Sequence, residues 1–585
     1  MIASDITIDK KASLLFVSSF ISLPLLLINE WGNSYTEPKL ALLFVLQIVL
    51  LSVFLNAKKI SISKPLNYWL IGFSIIVFMQ CAFLSKAQNL GIAYQSIGIS
   101  LCLLIVPLFI FNSSLDVISI ARSIMPICLV MIFSGLSMIL FRHPVFSDYS
   151  PFGSSIGLKN SFSVYLMQIF PLLLLLSGTG KTQDTLMQKI TYYAAKVFLP
   201  IVIWIVLANR TRSAWMMLIF YLVTLSLLAF RHRKIYGTLC KDLVLAIFLG
   251  VVLLNFIPNS LSWRSSTPYS DSLSSLFSFE HSSGRNHLWS VALRMVNLFP
   301  WQAIGAGQYP VLWQEYIKDT PNVSPQTFAF LRPDLPLFND YLQFATENGL
   351  LLAILFVLLV LGLPAYLCLK VLRDPTDRIS LLLSLICIAT CVDAFFDYPF
   401  NRPESVFVFA TAWGFLLKTS ETQAVTLIGR RHSLFKLYCL PLVLLISVIA
   451  LQMIIGLTAR KIWIKNRNAE TLETAFQFWP WDAQWKDHHL ESLLLSKNKE
   501  VAEKFVATRM QSWPNDPESY LIKSKYFESK NEYPQALENY KRAIVMVDKG
   551  FCYPKAYQSY LNLVSKLNSR NDIQFLSDAE LSSCK

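Results

Sequence analysis

The stretch KLALLFVLQIVLLSVFL, Lys39 to Leu55, contains one charge, Lys39, and one amide, Gln47. Extended to Ala57 and wound as an α-helix, it rises about 29 Å, close to the ~30 Å hydrocarbon core of a bilayer. Blocks of the same kind recur along the chain. They lie at about 12–31, 66–84, 97–112, 117–141, 156–177, 190–209, 213–230, 242–258, 340–371, 377–395, 403–418 and 435–457. Together with 39–57 they predict about thirteen membrane spans. The first block is too long for a secretory leader and lacks a small-residue cleavage site, so it is read as a retained helix.

Composition agrees. Of the 585 residues, 54% are hydrophobic and only 15% charged, whereas soluble domains carry about a quarter charged residues. The expected class is all-α: a polytopic bundle of about 12–13 transmembrane helices with a large outer loop at about 259–339, and a soluble helical domain after it. The formal net charge of +14 does not indicate a nucleic-acid partner, because the basic residues concentrate in short inter-helix loops. Lys58, Lys59 and Lys64 form one such group, and Arg231, His232, Arg233, Lys234 and Lys241 another. Such loops face the cytoplasm, so the N-terminus is expected there and the large loop and tail on the opposite side, the periplasm of a bacterial inner membrane.

The cysteines show no CxxC or Cys/His cluster with metal-ligand spacing, and no metal or other cofactor is expected. Cys81, Cys102, Cys128, Cys387, Cys391 and Cys439 fall in apolar blocks and read as packing residues. Cys552 and Cys584 lie in the tail, where an oxidising compartment would allow them to pair. Gly178–Thr182 imitates the end of a phosphate-binding loop, but Leu175 stands where its first glycine is required. The adjacent His488 and His489 have the wrong spacing to share a helix face as ligands.

After about Arg460 the sequence turns polar, and a membrane domain of 1–459 followed by a tail domain of 460–585 is expected. Tyr520, Ser524, Phe527, Ala536, Tyr540 and Ala543 have tetratricopeptide spacing, in which small residues permit close helix packing and aromatics fill the gaps. Asp548 replaces the usual closing proline. A generic pair of helical hairpins fits the same pattern. In either case the surface suits partner binding more than chemistry.

Chemistry gathers where spans meet the outer side. Asn209-Arg210-Thr211-Arg212-Ser213 places two arginines at a mouth that the charge rule expects to be poor in them. A guanidinium fork matches phosphate oxygens, although snorkelling toward lipid headgroups is the plain alternative. Gly284-Arg285-Asn286-His287 supplies a second candidate phosphate ligand, Arg285, or an ordinary loop arginine. Lys159 and Asn160 open the sixth block, where a helix N-terminus adds positive potential; a simple cap fits them equally. Phe338-Asn339-Asp340 leads into the tenth block, with Asp340 either a base or an N-cap. Arg402 belongs to the turn Asp397-Tyr398-Pro399-Phe400-Asn401-Arg402. Five segments thus bring cations or polar groups to one membrane face, a pattern suited to a lipid-linked diphosphate.

GLKN (157–160), TRSAW (211–215), GRNHLW (284–289), FNDYLQFATENG (338–349) and DYPFNRP (397–403) occur in an order that resembles the bacterial O-antigen ligase superfamily. That group also includes protein O-oligosaccharyltransferases and O-antigen polymerases, and the likeness covers roughly residues 10–460. It implies a metal- and nucleotide-independent transfer, in which an acceptor hydroxyl attacks the anomeric carbon of a glycan on undecaprenyl diphosphate. The acceptor would be a periplasmic protein or lipopolysaccharide core. Arg212 and Arg285 match positions that hold the diphosphate, with Lys159, Arg210 and Arg402 as assistants. One departure stands out. Ligases of this group typically carry His before Asn-Asp, and here the residue is Phe338, which leaves Asp340 or His287, with Asn339 beside them, as catalytic candidates. A polysaccharide polymerase, a non-catalytic transporter or a scaffold are the alternatives. A transporter would be expected to show paired half-repeats, and none is visible.

Overall fold

The computed structural model describes residues 10–26, 36–57, 59–141, 159–178, 185–257, 285–317, 336–373, 377–420, 424–427, 430–481, 485–495, 499–546 and 554–567. It is an all-α polytopic bundle. The spanning part opens with α1 (Lys10–Leu25), α2 (Glu37–Asn56), α3 (Lys64–Ala82), α4 (Leu90–Asn112) and α5 (Val117–Phe141). It continues through α6 (Lys159–Gly178), α7 (Leu186–Asn209), α8 (Arg212–Arg231) and α9 (Arg233–Phe256). Two shorter helices, α10 (Arg285–Leu298) and α11 (Tyr309–Ile317), lie in the large loop. Then come α12 (Asp340–Asn348), α13 (Leu350–Val357), a π-helical turn (Leu358–Gly362), α14 (Leu363–Arg373), α15 (Arg378–Asp393), α16 (Pro403–Ser420) and the long α17 (Arg430–Asn466). Among the described residues, nine helices are long and apolar enough to cross a membrane.

Local chemistry sets many of the ends. Ser63 caps α3 by accepting from the Leu66 N–H, Asn89 caps α4 through Ile92, and Thr185 and Gln188 form a reciprocal box on α7. Pro107, Pro126, Pro171 and Pro200 sit inside spans, as bilayer helices tolerate when neighbours satisfy the freed carbonyls. The helix α6 is the axis of the bundle, with 94% of its spanning window buried, whereas for α9 the share is 22%. Large apolar side chains such as Phe78, Phe133 and Phe230 remain exposed on the outside, a lipid-facing belt rather than a defect. A short antiparallel ribbon, β1 (Ile60–Ser63) with β2 (Ala424–Leu427), pairs Ile60 with Leu427.

Two expected boundaries change. The fourth span starts at Leu90 rather than 97, because Asn89 supplies its cap. The tenth block is not one helix over 340–371. It breaks at Gly349, which takes φ +85° and lies so close to the Pro300 and Trp301 carbonyls that a Cβ there would crowd them. The Leu350 N–H then bonds to the Pro300 carbonyl instead of to its own helix. The last helix before the tail, α17, runs from Arg430 to Asn466.

The tail contains α18 (Ala469–Phe478), α19 (Asp487–Leu495), α20 (Lys499–Ser512), α21 (Pro517–Ser529), α22 (Tyr533–Met546) and α23 (Pro554–Leu567). Helices α21 and α22 pack together, with Ser524, Ala536, Tyr540 and Ala543 fully buried. Asp548, Cys552 and Cys584 lie outside the described residues, as do Gly157, Leu158, Gly284 and Thr179–Thr182.

Candidate functional site

Two residues, Arg210 and Thr211, connect α7 to α8. Arg210 takes the left-handed conformation at φ 51° and closes α7 by donating its N–H to the Leu207 carbonyl. That turn sets Arg212 as the first residue of α8 and Ser213 beside it. The start of α6 meets the same turn: Asn209 donates to the Ser163 hydroxyl at 3.1 Å, and the Thr211 hydroxyl lies 3.5 Å from the Asn160 amide oxygen. Lys159 is the first residue of α6.

Arg285 begins α10. Its guanidinium donates to the Phe396 carbonyl, lies 4.9 Å from the Phe338 ring centroid, and is close enough to Arg212 for the two charges to repel. Phe338 has φ 56° and packs edge-on against Tyr398 at 5.3 Å. Arg402 is buried, stacks on Tyr398 at 4.4 Å, and pairs with Asp397 at 2.6 Å. Burial alone would lower the Arg402 pKa, but Asp397, Tyr398 and Asp393 outweigh it and hold the guanidinium charged. Behind it, Lys39 and Glu404 form a buried ion pair at 3.7 Å.

Sequence reasoning missed Asp393 and Ser213. Asp393 ends α15 fully buried, with the Ser213 hydroxyl beside its carboxylate and Arg285, Arg402 and Asp397 within electrostatic reach. The available signal was an ionisable residue inside an apolar run, which in a membrane protein marks a functional position by default. Arg285 and Arg402 therefore face the carboxylates Asp393 and Asp397, Asp340 also acts on Arg402, and Arg212 adds a third guanidinium beside Arg285.

The catalytic candidates divide. Asp340 has both oxygens occupied at 2.6 Å, by the Phe400 N–H and the Asn401 amide, and its own N–H bonds to the Ala394 carbonyl. It is 3% exposed, and the geometry makes it the clasp of the 394–402 turn. Burial pushes its carboxyl well above the ordinary range, against the pull of those two bonds. Asn339 caps α12 by accepting from the Leu342 N–H. His287 is half-buried on the first turn of α10.

A family model described as O-antigen ligase matches residues 197–357. This interval runs from α7 to the end of α13 and contains Arg210, Arg212, Arg285, His287, Phe338 and Asp340. Over that interval the chain is similar to the O-antigen ligase family. No curated protein matches its sequence. The O-antigen ligase match includes the α7–α8 turn and the start of α10, the two elements that bring Arg212 to Arg285. The third arginine, Arg402, and the carboxylates Asp393 and Asp397 lie beyond it. The match, with the candidate membrane spans, supports a membrane glycosyltransferase or ligase type of enzyme that works with lipid-linked glycans at a bacterial inner membrane.

Proposed function

We propose that the protein transfers a glycan from undecaprenyl diphosphate to an acceptor hydroxyl on a periplasmic protein or lipopolysaccharide core. What supports the reading is the match to the O-antigen ligase family over 197–357, which includes Arg212 and Arg285, together with Arg285 held against Phe338 at 4.9 Å and within electrostatic reach of Arg212. Like-charged guanidiniums held together favour an anion between them, and a diphosphate supplies paired oxygens for their donor forks.

In the proposed reaction the acceptor oxygen forms a bond to the anomeric carbon while the bond from that carbon to the diphosphate oxygen breaks. The electron pair leaves with undecaprenyl diphosphate, and Arg212 and Arg285 stabilise its growing charge. Arg402 adds to the positive field, with Lys159 and Arg210 as the further cations we assign to the site. Phe338 cannot accept the acceptor's proton and Asp340 is engaged, so we assign that proton to the departing diphosphate. On this reading the basic loops are cytoplasmic, residues 1–459 form the transferase domain, and 460–585 form a periplasmic, tetratricopeptide-like domain.

The test uses the full chain in nanodiscs with lipid-linked glycan from the cell's own membranes, and follows release of undecaprenyl diphosphate. Release should require an acceptor and fall about 10²–10³-fold in Arg212→Ala and in Arg285→Ala. Wild-type rates in both variants would sink the proposal.

A further inference from the structure

A cavity of about 230 Å³ lies on the other side of the 398–402 turn. Its walls come from both the bundle and the tail: Gln95 and Ser96 of α4, Asn401 and Arg402 of the turn, and Trp479, Trp481 and Trp513 of the tail. The tail wall is built in. The Trp481 carbonyl accepts from the Trp513 indole N–H at 3.2 Å and from the Asn89 amide at 3.1 Å. The Trp481 ring packs edge-on against Tyr94 at 5.8 Å and Trp479 at 5.7 Å. Gly91 lies so close that a Cβ there would come within 2.8 Å of the Trp481 Cβ.

The chemistry of this lining is specific. Indole faces stack on the C–H face of a pyranose, while amides and guanidiniums bond its hydroxyls. A volume below the roughly 300–1,000 Å³ of drug-sized sites suits one terminal sugar rather than a chain. Gln95 lies in a helix apolar enough to span a membrane, yet its amide makes no hydrogen bond among the described residues. Half-buried at the cavity wall, that amide can donate to and accept from a ligand's hydroxyls.

We propose that this cavity is a sugar-binding subsite, with Trp481 as its stacking platform and Gln95 as a hydroxyl ligand. The proposal deepens the transferase reading and rests on it for the sugar's role: Tyr398, Asn401 and Arg402 line the cavity and also border the arginine cluster. A sugar held here sits one turn of chain away from the proposed diphosphate site. The sugar belongs to the donor glycan or to the acceptor.

Binding is measured by calorimetry on the full-length protein in nanodiscs, with no transfer required. One arm uses the oligosaccharide released by mild acid from the cell's own lipid-linked donor. The other uses methyl glycosides of hexoses, N-acetylhexosamines and heptoses. Saturable binding in either arm, weakened about tenfold in Trp481→Ala and in Gln95→Leu but retained in Arg212→Ala, supports the subsite and names the source. Gln95→Leu lies on the bundle and leaves the tail's own contacts in place, which guards against a misfolded Trp481 variant. Absence of binding in both arms, or binding unchanged in both variants, overturns the subsite even if transfer is active. Binding without any transfer sustains the subsite and removes the transferase reading.

Discussion

The guanidinium of Arg285 lies 4.9 Å from the centre of the Phe338 ring, on the residue that stands where related ligases carry histidine. An aromatic ring holds an arginine by a cation–π contact worth roughly 0.5–2 kcal/mol, which is one task open to an imidazole as well. The phenyl ring cannot take on the other, which is to accept a proton.

Phe338→His restores that second capacity between Arg285 and Tyr398. The variant should acquire an inflection in its pH–rate profile between about pH 5 and 8, where histidine titrates, while the wild type shows none from this position. Superimposable profiles would mean that residue 338 does not approach the acceptor's proton.

Asp340→Asn separates a clasp from a base. Asparagine keeps the Asn339-capped helix, but its amide can serve only one of the two donors, Phe400 and Asn401. Stability should fall by about 1–3 kcal/mol, with the acceptor's KM rising as the 394–402 turn loosens. A general base would instead show a collapse of kcat at unchanged melting temperature. The parallel variant His287→Ala should leave both quantities close to wild type, because the proton is assigned to the diphosphate.

Glu347 predicts a pH effect on the loop behind the site. Its carboxylate accepts from the Gly307 N–H at 2.9 Å, the Tyr309 N–H at 3.3 Å and the Gln343 amide at 3.0 Å. Burial nevertheless pushes the carboxyl from 4.5 up to about 7. The folded pKa is raised, so the stabilisation is complete below the unfolded value and is lost as pH rises from about 4.5 through 7, up to roughly 3 kcal/mol in all. The melting temperature should decline over that window in wild type, and a flatter curve is expected for Glu347→Gln.

His489 acts in the opposite sense. Burial, aided by Arg460, lowers its pKa from 6.5 to about 2, and its ring packs against Trp463 at 4.7 Å and Trp485 at 5.0 Å. A depressed folded value means the contribution is intact above about 6.5 and is lost as pH falls below it. Limited proteolysis should cut the tail faster at pH 5 than at pH 7.5, and His489→Gln should reduce the difference. Equal rates at both pH values in wild type would refute the buried neutral ring.

Much of this was legible from the residues. The apolar blocks specify helices because a bilayer leaves the backbone few other ways to satisfy itself, and Arg212, Arg285 and Arg402 stood out as charges at the mouths of such blocks. The break at Gly349 was not legible, because it depends on the carbonyls of Pro300 and Trp301, which no local pattern in 340–371 announces. Asp340 read equally as cap or base; only its bonds to Phe400 and Asn401, far along the chain, decide what occupies its oxygens. The tryptophans of the tail carried no signal at all, since Trp481 acquires its setting from Asn89, Gly91 and Tyr94.

The seating of Trp481 on α4 also orders the protein's birth. Ribosomes deliver α4 before the segment 479–513, so the cavity between them lacks a wall until residue 513 has emerged and folded back. A nascent or truncated chain can have every arginine in place and still lack this wall. The cavity is thus a product of two distant parts of the chain, and any truncation before residue 479 removes one of its walls.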